Sequence, residues 1–138
     1  MGYTHYWNDK YRITEPLVDD VKAIIKQAQE DGIIIRGYDG TGEPVVTTDL
    51  ISFNGDADNG LDYETAYFRN DIEGFQFCKT RGVAPYDAVV CAVLLRIRHY
   101  NQGFSIDSDG EWSEWKNGRK LYAKVFGETP SKPSRMSK

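Results

Sequence analysis

The sequence predicts an α+β fold, a single mixed or mainly antiparallel sheet with about three helices packed on it. Two observations carry this expectation. Apolar residues recur at helical spacing in three separate stretches, and short aromatic or β-branched runs bounded by Gly, Asp and Asn lie between them. The resulting order, β-α-β-β-β-β-α-β-α, mixes antiparallel meanders with helices. At 138 residues the chain has the length of one domain. Folding at this size buries about 70% of the unfolded surface, so the core needs no disulfide or metal staple.

Taken in order, residues 3–7 form an aromatic and β-branched run that reads as a first strand. Thr14 is placed to cap a helix with Glu15 and Pro16 in its first turn. Leu17, Val18, Val21, Ile24, Ile25 and Ala28 give its apolar stripe, and Gly32 stops it. Residues 33–36 read as a buried strand with a turn at 38–42 behind it. Strands follow at 44–48 merging into 50–53, then the loop 54–60, then strands at 64–68 and 75–79. Pro85 opens a second helix with the stripe Tyr86, Val89, Val90, Val93, Leu94 and Ile97. After a strand at 104–107, Ser108, Asp109 and Gly110 supply capping residues for a third helix. That helix carries Trp112, Trp115, Tyr122, Val125 and Phe126, is interrupted by Gly118 and ends at Gly127. The globular domain therefore spans 1–127. Residues 128–138, rich in Ser, Pro and Lys, read as a disordered basic tail.

Charge excludes one class of partner. The formal charge is −4, and because the tail carries Lys132, Arg135 and Lys138 against Glu128, the body before it carries −6. An acidic body disfavours duplex nucleic acid, whose affinity comes from phosphate neutralisation. A small phosphorylated ligand stays open, since a few local cations suffice to hold it. The longest apolar runs fall far short of a bilayer span, and no secretory signal is evident at residues 1–5, so a cytoplasmic protein is expected. Cys78 and Cys91 form no CxxC pair and read as reduced, with Cys91 a small core residue.

Several signatures fail on inspection. Gly37 and Gly42 have the spacing of a phosphate loop, but Glu43 and Pro44 stand where Lys and Ser or Thr belong. Asp56 and Asp58 open like a calcium loop, but Gly60 and Tyr67 occupy ligand positions. His5 and His99 lack metal-spaced partners, and no Gly-x-Ser-x-Gly elbow occurs, so neither a metal nor a cofactor is expected.

The remaining candidates are polar and aromatic groups at strand ends. Alternation places Tyr3, His5 and Trp7 on one face and Thr4 with Tyr6 on the other. His5 is either a satisfied core histidine or, in a pocket, a phosphate donor or general acid. Lys79, Thr80 and the free N–H groups opening the second helix would together make an anion site. Asn54 ends another strand and is expected to contact a hydroxyl of the ligand. Asp87 favours the helix dipole, and Ser108 with Asp109 either cap the last helix or contact a ribose hydroxyl or base edge. Tyr6, Trp7 and Tyr86 could stack on a base.

These residues fall in recognisable strings: Gly2-Tyr3-Thr4-His5-Tyr6-Trp7, Phe53-Asn54-Gly55, Glu64-Thr65, Phe77-Cys78-Lys79-Thr80, Pro85-Tyr86-Asp87 and Ser108-Asp109-Gly110. The set resembles a family of small uncharacterised proteins found in bacteriophages and bacteria, over nearly the whole chain. The resemblance implies site positions rather than a reaction. It also implies a histidine before the middle glutamate, where this chain has Tyr63. A phage context, which the resemblance implies, draws attention to proteins that disarm host defence, several of which bind small nucleotide signals.

The leading expectation is thus a binding protein that sequesters a nucleotide-derived ligand, cyclic or linear, in the host cytoplasm. The phosphate would sit near Lys79 and Thr80, and the base among Tyr6, Trp7 or Tyr86. The first alternative is a nucleotide hydrolase or phosphodiesterase with His5 as acid or base, assisted by Glu64 or Asp87. The second is a protein–protein inhibitor docking through exposed aromatics, for which an obstructed pocket would be the sign. Self-association is left open.

Overall fold

A computed structural model describes residues 3–136. Among these residues the architecture is α+β, with three helices and two antiparallel three-stranded sheets. Strand β1 (Thr4–Trp7) is the centre of the first sheet, flanked by β5 (Gln76–Lys79) and β6 (Ile106–Ser108) in the order β5-β1-β6. The second sheet joins β2 (Val45–Val46), β3 (Ile51–Phe53) and β4 (Ala66–Phe68) in chain order. The expected single sheet is therefore two. Residues 33–36 do not make a strand; they contribute one bridge, Arg36 with Asn54, before the chain turns at Gly37. A Cβ at Gly37 would lie 2.3 Å from the Glu43 carbonyl oxygen, so the close turn that ends pairing there requires glycine. Among the described residues no strand pairs across the two sheets, and Trp7 stacking on Phe68, with ring centroids 5.0 Å apart, is one of the contacts that join them.

Helix α2 (Asp87–Tyr100) is central. Its run from Asp87 to Leu95 is buried throughout, which explains why its sequence is apolar all round instead of striped. Helix α1 (Glu15–Glu30) covers one side with the stripe expected for it, and α3 (Lys116–Phe126) covers another. Thr14 precedes α1 without a side-chain capping bond, its carbonyl accepting from Val18 N–H at 2.9 Å. Gly118 does not interrupt α3: it is the point where α3 meets α2, and a Cβ there would lie 2.5 Å from the Cys91 Cβ. Arg96 ties all three helices. It donates to Asp20 at 2.7 Å and to the Tyr122 hydroxyl at 3.0 Å, and lies 3.8 Å from the centre of the Phe126 ring. Among the described residues no helix is long and apolar enough to cross a membrane.

Two further expectations need correction. Ser108 and Asp109 do not cap α3; Glu111 and Glu114 form the capping box of the short turn (Trp112–Trp115) that leads into it. The tail does not leave the body as far as it is described. Pro130, Pro133 and Met136 are buried, and Arg98 donates to the Ser131 carbonyl at 2.6 Å. Apolar residues spaced three apart let an irregular segment bury side chains without a regular element, a pattern composition does not reveal.

Candidate functional site

The first sheet has two faces, and the sequence-predicted residues divide between them. On the inner face, His5 sits opposite Cys78 on β5 and Ser108 on β6. It is 0% exposed, with Tyr3 and Trp115 meeting its ring edge-on at 5.2 and 5.1 Å. The hydrogen bonds around it fix one another's direction. Ser108 Oγ accepts from Gly110 N–H at 2.9 Å and from the Trp115 indole at 3.2 Å, so its lone pairs are used and its own proton goes to His5 Nδ1 at 2.8 Å. The imidazole proton is then on Nε2, which donates to Asp87 Oδ1 at 2.6 Å. Thr80 donates to the same oxygen at 2.5 Å. Asp87 opens α2, where its negative charge complements the helix dipole.

Ser108, His5 and Asp87 thus form a serine–histidine–carboxylate chain, though not a nucleophile with its base. Both Ser108 lone pairs are occupied, and a histidine closed to solvent reaches no substrate. Cys91 completes the cluster, its sulfur 3.7 Å from His5 Nε2 and from Asp87 Oδ2. Burial, reinforced by the Asp87 carboxylate, pushes this thiol well above its ordinary value. Burial likewise raises the Tyr3 hydroxyl, with Asp87 and Cys91 adding to it.

The expected anion site at the start of α2 is not assembled. Thr80 is committed to Asp87, the helix start already carries that carboxylate, and Lys79 belongs to the opposite face by its register with Thr4. Asp109 serves β1, accepting from Thr4 N–H at 3.0 Å and from the Tyr6 hydroxyl at 3.2 Å. Trp7 is buried and donates to Gln76, and Tyr86 is buried with its hydroxyl donating to the Glu64 carbonyl at 2.7 Å. Neither ring offers a face to a base.

The outer face is different. Tyr6 and Phe77 are directly opposed across β1 and β5, with Phe77 62% exposed. Beside them Tyr38, Tyr63, Tyr67 and Phe77, with Asp39, Glu64 and Thr65, line an open cleft of about 590 Å³. That volume lies within the usual range for small-molecule sites. Its walls come from three separate segments, and each is held by a specific bond. Asn54, expected as a ligand contact, instead grips Tyr63 through both backbone groups, accepting from its N–H at 3.1 Å and donating to its carbonyl at 3.0 Å. Thr65 Oγ1 accepts from Asp39 N–H at 3.0 Å, which joins the Tyr38 turn to the Tyr63 segment. Glu64 accepts from Lys79 N–H at 2.7 Å, which joins that segment to the strand carrying Phe77.

Arg81 stands at the rim with its guanidinium 5.1 Å from the centre of the Tyr63 ring. The positive-φ residues other than glycine among those described are Asp39, at 58°, and Arg81, at 69°. Asp39 lines this cleft, and Arg81 lies against its Tyr63 wall. Such conformations cost roughly 1–3 kcal/mol in a residue with a side chain and collect at functional sites. Sequence reading missed Tyr38, Tyr67, Phe77 and Arg81. A signal for Phe77 existed: with Cys78 turned into the core, alternation forces its neighbour outward, and an outward phenylalanine buries nothing in the fold.

Compared with protein-family models, curated proteins and solved structures, the chain finds no match.

Proposed function

We propose that this protein binds a small nucleotide-derived ligand in the aromatic cleft and holds it without cleaving it. The observation that carries this reading is the set of four aromatic rings around one open cleft with a guanidinium at its rim. Bases stack on exposed rings for about 1–3 kcal/mol each, whatever their identity. Tyr63 and Phe77 are the stacking walls, and Asp39 and Glu64 are placed to accept from an exocyclic amine or a ribose hydroxyl. Arg81 and Lys79 meet the phosphate. Lys79 makes no ion pair among the described residues, which leaves its charge available to a ligand. The acidic body suits one small ligand in a cleft better than a long polyanion.

A second reading has its own observation. Phe75 is 77% exposed beside Phe77 at the end of β5, and a patch of this kind on a monomer marks a protein contact. One experiment separates the two. Purified protein is incubated with a panel of cyclic and linear nucleotides, freed of unbound ligand and denatured, and the released molecule is identified by mass spectrometry. Recovery of an intact nucleotide from wild type, reduced about tenfold or more in Tyr63→Ala, supports the ligand reading. Retention of nothing from the panel overturns it and leaves the protein contact.

A further inference from the structure

The buried cluster on the inner face contains an assortment that hydrogen bonding alone does not need. His5 Nε2, a carboxylate oxygen of Asp87 and Cys91 Sγ all lie within 4.8 Å of one another, and they form the one such His/Cys/Asp/Glu group among the described residues. Asp87 and Cys91 are four residues apart on α2, so they project from the same helix face toward the β1 strand that carries His5. In a tetrahedral zinc site with ordinary bond lengths, sulfur lies about 3.6 Å from a nitrogen or oxygen ligand, and nitrogen about 3.3 Å from oxygen. The sulfur lies 3.7 Å from His5 Nε2 and 3.7 Å from Asp87 Oδ2, the carboxylate oxygen that His5 does not contact. The His5–Asp87 contact of 2.6 Å has to open by about 0.7 Å to reach that spacing.

The surroundings fit a cation as well. Asp87 keeps 11% of its side chain exposed and lines a depression of about 260 Å³ together with Glu114 and Asn117. The charged residues of that depression, Asp87 and Glu114, are both acidic, so it draws in positive ions and repels phosphate. Outer partners are in place: Ser108 on the far nitrogen of His5, and Thr80 on Asp87. We infer that His5, Asp87 and Cys91 form a binding site for a borderline divalent transition-metal ion of the zinc type, entered from the Asp87 depression.

Loading replaces protons with the ion. The Cys91 thiol releases its proton to solvent. The imidazole stays neutral by moving its proton from Nε2 to Nδ1, where Ser108 Oγ accepts it in place of the longer bond from Trp115 and turns its own proton to the neighbouring Tyr3 hydroxyl oxygen. One thiolate, one carboxylate and a neutral imidazole then balance the two positive charges. The remaining coordination position faces water in the depression.

Cobalt(II) reports the site directly. Protein stripped with a chelator is titrated with Co²⁺ and followed by absorption, alongside Cys91→Ser and Cys78→Ser. The expected result is a one-to-one endpoint with a thiolate-to-cobalt charge-transfer band and the visible bands of a tetrahedral ion, kept in Cys78→Ser and lost in Cys91→Ser. Zinc should displace the cobalt and raise the melting temperature of wild type but not of Cys91→Ser. If Cys91→Ser does not fold, a band that survives in Cys78→Ser still assigns the sulfur. A spectrum without a charge-transfer band, or with one that depends on Cys78, overturns the assignment.

Discussion

His5 shows how one buried residue constrains its neighbours. Its two nitrogens are spoken for by Ser108 and Asp87, so removing the ring strands a carboxylate and a hydroxyl in the core. His5→Ala is expected to cost about 3–5 kcal/mol, because it leaves the buried Asp87 charge without its main partner. Urea denaturation checks this; a loss below about 1 kcal/mol would mean the cluster is worth no more than a surface contact. The thiols give a second test at this scale. Burial pushes Cys78 up to about 12 and raises Cys91 too, so neither supplies thiolate near neutrality. In metal-free protein at pH 8 a disulfide reagent should label neither cysteine in the native state and both in denaturant. Much of this was legible beforehand: a core histidine was one of the two readings of His5, and Cys91 was expected inside. Pairing between residues 5, 80, 87 and 108 was not, because hydroxyl and carboxylate partners distant in sequence leave no periodic signal.

At the scale of elements, the helices were legible because their stripes recur every three or four residues over long stretches, which averages out exceptions. Short strands offer no such averaging. Residues 33–36 have the apolar, β-branched character of a strand, yet the Gly37 turn permits a single bridge. Gly118 was readable only as a weak point in α3, since a sequence does not show what lies across a helix. Its role yields a prediction. Gly118→Ala improves intrinsic helix propensity but drives a methyl group against Cys91 and the Ala88 carbonyl, 3.0 Å away. Overpacking should win, with a net loss of about 1–3 kcal/mol visible in thermal melts. Stabilisation by this substitution would mean that α3 is free to move off α2.

For the whole molecule, the arrangement of faces matters most. One sheet turns a closed polar cluster inward and an aromatic, partly cationic surface outward, so residues adjacent in the chain serve different ends: His5 and Tyr6, Thr80 and Lys79. Sequence reading grouped them by proximity along the chain, and the pleat separates them. The C-terminal segment also belongs to the whole. Met136 is 2% exposed within the core cluster, and Met136→Ala should cost about 2 kcal/mol or more, measured by denaturant titration. No change would return the segment to the disordered tail that its composition suggests.

The most direct test of the account is nucleotide binding to wild type against a cleft variant. Phe77 is largely exposed, so Phe77→Ala should leave the melting temperature within about a degree or two while removing one stacking wall. Calorimetric titration with a nucleotide retained from the panel should give saturable one-to-one binding to wild type, weakened about tenfold or more in Phe77→Ala. Binding of equal strength to both proteins, or to neither, would contradict the assignment of the aromatic cleft as the ligand site.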